Sequence, residues 1–310
     1  MIGAPWAVVL AGGDGQRVSA LTRDADGRVV PKQFWSCDER PPMVRWALAR
    51  ARHIAPAPRV LIVVNEPHRP FWRRELADVP LHNLVIQPSN RGTAAGVLLA
   101  LIEIQTRGSA AAPVVLLPSD HRVGDEAVLH RALQAAVQAS RHNGRAVVLL
   151  GVSPTDLEPG YGWILPATGD PIARVSQFLE KPSAEDVGQM VSRGALINSF
   201  ILAARVQAML DLYEQTLPDI LRAFRRCTLT SPAALAIRRL YEDLPSFDLS
   251  RDVLERAAGS LSVVRVPPCG WSDLGTPDRL QSFLEQVDSP PSASSQATVR
   301  ATAAASDVPG

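Results

Sequence analysis

The first residues with a clear chemical use follow the first apolar run of the chain, which ends in Gly12, Gly13 and Gly15. Because glycine has no side chain, backbone N–H groups in such a turn can close around an anion. A bare glycine turn after a strand is also common as a purely structural feature. Arg17 and Lys32 favour the anion site, since a guanidinium fork and a compact ammonium group suit a triphosphate. Neither the dinucleotide-binding fingerprint nor the Walker P-loop spacing is matched.

The composition is that of an ordinary globular protein, with 310 residues, 46% hydrophobic and 20% charged, which excludes a disordered or fibrous chain. Lys+Arg number 32 and Asp+Glu 31, so a net charge of +1 provides no overall field to attract nucleic acid or an anionic membrane. No apolar segment approaches the roughly 18 residues of a membrane span, and the first apolar run is too short for a signal peptide. We therefore expect a cytoplasmic protein that binds neither nucleic acid nor a membrane, with its three cysteines reduced.

The first half of the chain alternates apolar runs with helical segments. The runs are 6–10, 59–64, 83–87, 113–118 and 146–152, and the helical segments are 43–55, 93–105 and 126–140. The runs do not alternate polar with apolar residues, which is typical of strands buried on both faces. Strand, helix, strand in regular order predicts right-handed βαβ units and a Rossmann-like, mainly parallel sheet covered by helices.

The pattern changes after residue 152. Strands are predicted at 160–167, 173–181, 195–204 and 261–267. Helices are predicted at 184–192, in several segments from the end of the third of these strands through Arg256, and near 277–287. Short links between the first of these strands predict a smaller antiparallel layer attached to the parallel sheet. We divide the folded domain, 1–287, into a first half of about 1–152 and a second of about 153–287. The remaining Ser, Ala and Pro-rich stretch, 288–310, is predicted to be a disordered tail that leaves no room for a further domain.

Nine short motifs occur in a fixed order between about residues 5 and 285. They are AGGDGQR (11–17), PKQF (31–34), PSNRGTAAG (88–96), LPSDH (117–121), GVSPTDLEPGYGWI (151–164), FLEKP (178–182), INSF (197–200), SFD (246–248) and GWSDLG (270–275). Together they resemble the sugar-1-phosphate nucleotidyltransferases, and PKQF resembles in particular the mannose-1-phosphate guanylyltransferases. The resemblance implies that mannose-1-phosphate and GTP give GDP-mannose and pyrophosphate, by magnesium-assisted in-line attack on the α-phosphorus.

The resemblance also implies a role for each matching residue. The catalytic residues would be Arg17, Lys32, Asp120, Lys181 and Asp273. The nucleotide would be bound by Ala11, Gly12, Gly13, Asp14, Gly15, Gln16, Arg17, Lys32, Gln87, Arg91, Thr93 and Ser119. The sugar phosphate would be bound by Gly162, Glu180, Lys181 and Asn198, and Mg²⁺ by Asp120 and Asp273. His121 is expected to be a hydrogen-bonding neighbour rather than a base, because a phosphate oxygen is already ionised near neutral pH.

Several positions depart from the family pattern. Gln16 stands where threonine is usual, the link 24–30 is longer, and Asn90-Arg91-Gly92 replaces Gly-Arg-Asn. Phe200 stands where the family has glycine, which places a large ring near the expected sugar pocket. Another hexose-1-phosphate or another nucleoside triphosphate therefore stays open, as does a catalytically inactive regulatory homologue. The expected partners are these small molecules, bound by a monomer or a homodimer.

Overall fold

Nine strands form one mixed sheet in the computed structural model, which describes residues 3–36, 40–230 and 232–288. The strands are β1 (Trp6–Leu10), β2 (Val60–Asn65), β3 (Leu84–Gln87), β4 (Pro113–Pro118), β5 (Val147–Val152), β6 (Gly162–Pro166), β7 (Ile172–Glu180), β8 (Leu196–Arg205) and β9 (Leu261–Val266). Each lies on a predicted strand segment, with ends that differ by at most two residues. The predicted fold class, a Rossmann-like α/β sheet, is confirmed.

The sheet order is β3-β2-β1-β4-β8-β5-β9-β7-β6. Strands β1 to β4 are parallel, so their carboxyl ends, Leu10, Asn65, Gln87 and Pro118, lie along one edge. The chain moves outward from β1 in both directions, through β2 on one side and β4 on the other. Open α/β sheets bind ligands in the crevice above such a switch point.

Antiparallel pairing begins at β8, which lies between β4 and β5. Strands β6 and β7 pair with each other, and β7 continues the sheet through β9. The predicted antiparallel layer is therefore present, but it continues the main sheet instead of forming a separate sheet. The two predicted halves share this sheet, since β8 of the second half pairs with two strands of the first.

Helices cover both faces of the sheet. They are α1 (Met43–Arg52), α2 (Arg69–Glu75), α3 (Gly92–Thr106), α4 (Glu126–His142), α5 (Ala184–Ser192), α6 (Val206–Thr216), α7 (Pro218–Thr228), α8 (Ala233–Asp243) and α9 (Pro277–Asp288). Along β1, Ala7 and Val9 join one hydrophobic core, whereas Trp6 and Val8 join the other. Helices α1, α4, α5 and α9 bury side chains in the first core, and α3, α6, α7 and α8 in the second. This burial explains why the apolar runs do not alternate.

The short helix α2 was not predicted from the sequence, although Trp72 anchors it with 3% of its surface exposed. Residues 289–310 of the predicted disordered tail lie outside the described residues, as does Cys37. Cys227 and Cys269 carry free thiols, as predicted. None of the helices within the described ranges is long and apolar enough to cross a membrane.

Candidate active site

A cavity of about 390 Å³ opens above the carboxyl ends of β1 and β4. Its volume lies in the range of small-molecule sites. The predicted residues on its wall are Gly12, Gly13, Arg17, Lys32, Gln87, Thr93, Ser119, Asp120, Gly162, Glu180, Lys181, Asn198 and Asp273. Residues from both predicted halves thus meet around one space, although Asp120 and Asp273 are far apart in the sequence.

The loop after β1 is held by a side chain that the sequence analysis missed. Gln33 is buried, and its Nε2 donates hydrogen bonds to the carbonyls of Ala11 (3.0 Å) and Gly13 (2.8 Å). Gly15 has φ +63°, and a Cβ there would stand 3.1 Å from the backbone nitrogen of Lys32. The loop conformation and its close approach to Lys32 therefore favour glycine.

Lys32 bridges the two segments that carry Asp120 and Asp273, the predicted metal ligands. Its buried Nζ lies 2.9 Å from Oδ2 of Asp120 and donates to the backbone carbonyls of Asp273 (2.6 Å) and Leu274 (3.1 Å). A buried ammonium group needs such partners, because burying an unpaired charge is costly. Lys32 and Lys181 are the only lysines among the 32 basic residues of the chain, and both lie on the cavity wall. This was a signal that the sequence analysis missed.

The acidic group at the end of β4 is ionised at neutral pH. Burial alone would raise the pKa of Asp120, but the charge of Lys32, the attraction of His121 when it is protonated at acidic pH, and the hydrogen bond from Lys32 shift the pKa below its usual value. Its neighbour His121 accepts a hydrogen bond at Nδ1 from the indole N–H of Trp271 at 3.2 Å. Because an indole nitrogen can only donate, the neutral imidazole carries its proton on Nε2.

Burial lowers the pKa of His121 to about 4, although Asp120 and Asp273 act in the opposite direction. His121 is therefore neutral at physiological pH, with Nε2 3.8 Å from Oδ1 of Asp120. This geometry agrees with the expected role as a neighbour of Asp120.

The second carboxylate is oriented by residues that the sequence analysis did not single out. Oδ1 of Asp273 lies 3.1 Å from Nε of Arg279 and accepts hydrogen bonds from the backbone N–H of Gly275 (3.0 Å) and the hydroxyl of Tyr161 (3.4 Å). The Arg279 guanidinium also stacks over the ring of Tyr161, 4.6 Å from its centroid. Arg17 lies beside the same turn, since a Cβ on Gly275 would stand 3.3 Å from its Nη2.

The donor chemistry at this end of the cavity fits a magnesium ion. Mg²⁺ takes hard oxygen ligands and is usually held by one or two carboxylates together with substrate phosphates. Asp120 and Asp273 provide two such groups on one wall. Within the described residues, no cluster of three or more His, Cys, Asp and Glu side chains could hold a metal ion. A site of two carboxylates would thus leave the remaining coordination to phosphates and water.

At the end of the cavity beside the glycine loop, buried amide side chains form a chain of hydrogen bonds. Nε2 of Gln87 donates to Oδ1 of Asn65 at 2.9 Å, and Nδ2 of Asn65 donates to the carbonyl of Gly12. The hydroxyl of Tyr241 donates to Oε1 of Gln87 at 3.2 Å. Neither Asn65 nor Tyr241 was predicted. A Cβ on Gly12 would stand 2.8 Å from Gln87 Nε2, so the amide requires glycine at that position.

Other predicted nucleotide contacts hold the protein itself together. Thr93 Oγ1 accepts from the backbone N–H of Leu249 at 2.8 Å, and Ser119 Oγ donates to the carbonyl of Leu10 at 2.6 Å. The guanidinium of Arg91 donates to the carbonyls of Tyr241 and Glu242, each at 2.9 Å. Arg91 therefore fastens the end of α8.

Five of the residues predicted to bind the nucleotide do not line the cavity formed by the described part of the chain. They are Ala11, Asp14, Gly15, Gln16 and Arg91. The carboxylate of Asp14 accepts from Nδ2 of Asn90 at 2.9 Å and lies 3.5 Å from Nε2 of His68. Contact of these five residues with a nucleotide stays a prediction.

The far end of the cavity is acidic and strained. Glu180 is nearly buried, and burial together with the charge of Asp248 raises its pKa, although Lys181 and a hydrogen bond from Ser250 lower it. A Cβ on Gly162 would stand 2.6 Å from Glu180 Oε2, so glycine leaves the space that this carboxylate occupies. Lys181 has φ +52° and its Nζ lies 3.7 Å from Glu180 Oε1.

A bulge in β8 shapes the cavity wall beside Glu180 and Asp248. The register with β5 shifts between Leu202 and Asn198, and Phe200 within the shift has φ +59°. Oδ1 of Asn198 accepts from the backbone N–H of Phe200 at 3.1 Å. A left-handed conformation costs a non-glycine residue roughly 1–2 kcal/mol. A strained phenylalanine therefore lies on the cavity wall.

A glycine-rich loop lies at the switch point of an open α/β sheet, with two carboxylates and two lysines on the same cavity, an arrangement typical of α/β proteins that bind small ligands at this edge. The family model described as "Nucleotidyl transferase" matches residues 6–289. The protein therefore belongs to the nucleotidyl transferase family.

Relatives in this family are known from several bacteria. The chain is 29% identical over 286 residues to the xanthan biosynthesis protein XanB of Xanthomonas campestris, and 28% identical over 285 residues to the mannose-1-phosphate guanylyltransferase ManC of Salmonella typhimurium. These alignments cover 90% and 87% of this chain but only 59% and 58% of the relatives. The chain thus spans less than two thirds of the length of these proteins.

Solved structures share the fold. A Thermus thermophilus protein described as a mannose-1-phosphate geranyltransferase is 28% identical, with a TM-score of 0.76 over 88% of this chain and 77% of that chain. A Helicobacter pylori protein described as a mannose-6-phosphate isomerase superposes with a TM-score of 0.68 at 18% identity, covering 87% of this chain and 100% of that chain. At that identity the second likeness supports the fold alone.

Proposed function

We propose that the protein transfers a guanylyl group from GTP to mannose-1-phosphate, giving GDP-mannose and pyrophosphate. The observation that carries this proposal is the meeting of the glycine loop, two carboxylates, Lys32 and Lys181 around one cavity. Names of relatives, such as the mannose-1-phosphate guanylyltransferase ManC, support the choice of substrates. The resident cofactor in this proposal is Mg²⁺.

Each end of the cavity has a separate task in the reaction. The glycine loop and Arg17 bind the triphosphate, while Lys181 binds the phosphate of the sugar. A sugar-phosphate oxygen then attacks the α-phosphorus, a new P–O bond forms, and the bond between the α-phosphorus and the bridging oxygen breaks to release pyrophosphate. Positioning and charge stabilisation dominate such transfers.

Asp120 and Asp273 would hold the magnesium ion, which when bound neutralises the charge of the phosphates. No side chain needs to remove a proton, because the attacking phosphate oxygen is already ionised. The neutral imidazole of His121, with Nδ1 occupied by Trp271, supports Asp120 without entering the chemistry.

Glu180 and Asn198 would read the sugar hydroxyls from the far wall. Glu180 accepts hydrogen bonds when ionised and donates one when protonated, so it suits hydroxyl groups. Phe200 lines the same cavity, where its ring would restrict which sugars fit.

The test is release of pyrophosphate by the purified protein with magnesium. GTP, ATP, UTP and CTP are each combined with mannose-1-phosphate or glucose-1-phosphate, and an Asp273→Ala variant is the negative control. Release should be fastest with GTP and mannose-1-phosphate. Preference for another pair would keep the reaction and change the substrates. Silence across the panel, with measurable nucleotide binding, would favour a regulatory homologue.

A further inference from the structure

Three buried polar side chains form a continuous hydrogen-bonded chain beneath the glycine loop. Tyr241, Gln87 and Asn65 are exposed by 1%, 3% and 1% respectively, and the chain ends on the carbonyl oxygen of Gly12. It links helix α8 to the ends of β3, β2 and β1. Only Gln87 of the three side chains lies on the cavity wall.

The direction of every hydrogen bond in this chain follows from its last acceptor. A carbonyl oxygen can only accept, so Asn65 must turn its Nδ2 toward Gly12 and its Oδ1 toward Gln87. Gln87 must then present Nε2 to Asn65, which leaves Oε1 facing the hydroxyl of Tyr241. That hydroxyl donates, and burial raises the pKa of Tyr241, so the phenol keeps its proton. The amide of Gln87 is thus fixed in one orientation.

A fixed amide can distinguish classes of nucleobase. Gln87 retains one N–H hydrogen and one lone pair on Oε1 after these contacts. Guanine and uracil present a keto oxygen beside a ring N–H, whereas adenine and cytosine present an amino group beside a ring nitrogen. For a base held in one direction by its bound phosphates, these two patterns are the reverse of each other. An amide that cannot flip matches only one of them.

We infer that Tyr241 is a positioning residue that fixes the Gln87 amide so that the site distinguishes keto bases from amino bases, with keto bases favoured because the proposed nucleotide is GTP. This inference rests on the proposed function, because it requires a nucleotide in this cavity. The position of Tyr241 is itself fixed by the bonds from Arg91 to the end of α8 and by an edge contact with the ring of Phe224 at 5.9 Å between centroids.

The experiment measures equilibrium binding of nucleoside triphosphates to the full chain in the presence of magnesium, without sugar phosphate. GTP and inosine triphosphate are compared with ATP, and UTP with CTP, so that each comparison is made between bases of one size. Inosine keeps the keto oxygen and ring N–H of guanine without its 2-amino group. Wild-type protein should bind GTP and inosine triphosphate more tightly than ATP, and UTP more tightly than CTP.

Tyr241→Phe removes only the hydroxyl and keeps the ring. One lost hydrogen bond should lower the ratio of the ATP to the GTP dissociation constant by about two- to tenfold. The matched control is Tyr213→Phe, because the buried hydroxyl of Tyr213 donates to the Ala94 carbonyl at 2.8 Å and lies outside the chain to Gly12. Both variants should lose stability, but only Tyr241→Phe should lose base selectivity.

Two results would overturn the inference. One is an unchanged base ratio in folded Tyr241→Phe, and the other is equal affinity of the wild-type protein for keto and amino bases. The second result applies even if the variant does not fold. Failure of the proposed function would instead appear as missing turnover in the pyrophosphate assay, whereas base selectivity is measured by binding alone. Absence of all nucleotide binding would overturn both.

Discussion

The two ends of the cavity are built in opposite ways. At the end proposed for the nucleotide, left-handed backbone occurs at Gly15 and Gly92, and the amides of Asn65 and Gln87 are hydrogen-bonded within the protein. At the end proposed for the sugar phosphate, Lys181 and Phe200 adopt left-handed φ, and the carboxylate of Glu180 lies nearly buried near Asp248. Strained residues persist where the surrounding structure fixes them. At the first of these ends the left-handed positions are glycines, whereas the second end has two strained residues and neighbouring acidic groups. A third strained residue, Leu274 (φ +47°), follows Asp273 where the two ends meet.

The largest loss of activity is expected for Asp120 and Asp273, which lie where the two ends of the cavity meet. Asp273→Ala and Asp120→Ala should each lower kcat by about 10²- to 10³-fold, because each removes a carboxylate that would hold Mg²⁺ beside the reacting phosphates. The measurement is pyrophosphate release, with circular dichroism to verify folding. Asp170→Ala, an exposed carboxylate in the turn between β6 and β7, is the control. Near-normal rates with magnesium would contradict the metal assignment.

Lys181→Ala should affect the use of one substrate and leave the binding of the other unchanged. Loss of a charged hydrogen bond to the sugar phosphate should raise KM for mannose-1-phosphate by about 10- to 100-fold, while GTP affinity stays the same. Steady-state kinetics with each substrate varied in turn measures this. Equal losses for both substrates would place Lys181 at the nucleotide end.

Gly92→Ala tests whether the backbone near the proposed nucleotide end requires glycine. A Cβ at this position would stand 2.1 Å from the carbonyl oxygen of Phe247, at φ +82°. We expect the free energy of unfolding to fall by more than about 2 kcal/mol. Gly194→Ala is the matched control, since Gly194 has φ +84° but no atom within 4 Å of its Cβ position. If denaturant melts show equal losses in the free energy of unfolding for Gly92→Ala and Gly194→Ala, the close approach to Phe247 does not contribute.

Phe200→Gly tests strain at the sugar end. Removing a ring from a hydrophobic cluster destabilises a protein, but relief of the left-handed conformation should return roughly 1–2 kcal/mol. Phe247→Gly is the comparison, because Phe247 is also partly buried against the same core and does not have positive φ. In parallel denaturant melts, Phe200→Gly should lose less stability by about that amount. A larger loss for Phe200→Gly would argue against stored strain.

The smallest effect concerns Glu180 and pH. Because its pKa in the folded protein is raised, the folded state keeps this proton to higher pH than the unfolded chain does. The contribution of Glu180 to stability is therefore greatest at low pH and falls as pH rises from the ordinary glutamate range through the raised pKa. Glu180→Gln should remove this fall in thermal melts at a series of pH values. Glu185→Gln, exposed in the first turn of α5, is the control, and identical profiles for both variants would contradict the prediction.

The strands of the fold could be predicted from sequence because a sheet buried on both faces requires continuous apolar runs such as 113–118. The predicted site residues were found through motifs, and most of them line the cavity. Partners that depend on tertiary contact were not predicted. Tyr241 lies on a helix with no motif of its own and reaches Gln87, 154 residues away, only because the chain folds back. Arg279 lies just after Asp273, but on a helix that carries no motif. Phe200 was noticed as a departure, but its left-handed backbone follows from the bulge in β8.

The position of β8 has a consequence for synthesis on the ribosome. Strand β4 pairs with β1 on one side and β8 on the other, and β8 ends at Arg205. Until the ribosome has released about that much chain, the backbone N–H and C=O groups on this edge of β4 have no partner strand and can pair with other chains. A pause in translation before residue 205 would prolong this exposure, so the nascent protein should depend most on chaperones at that stage.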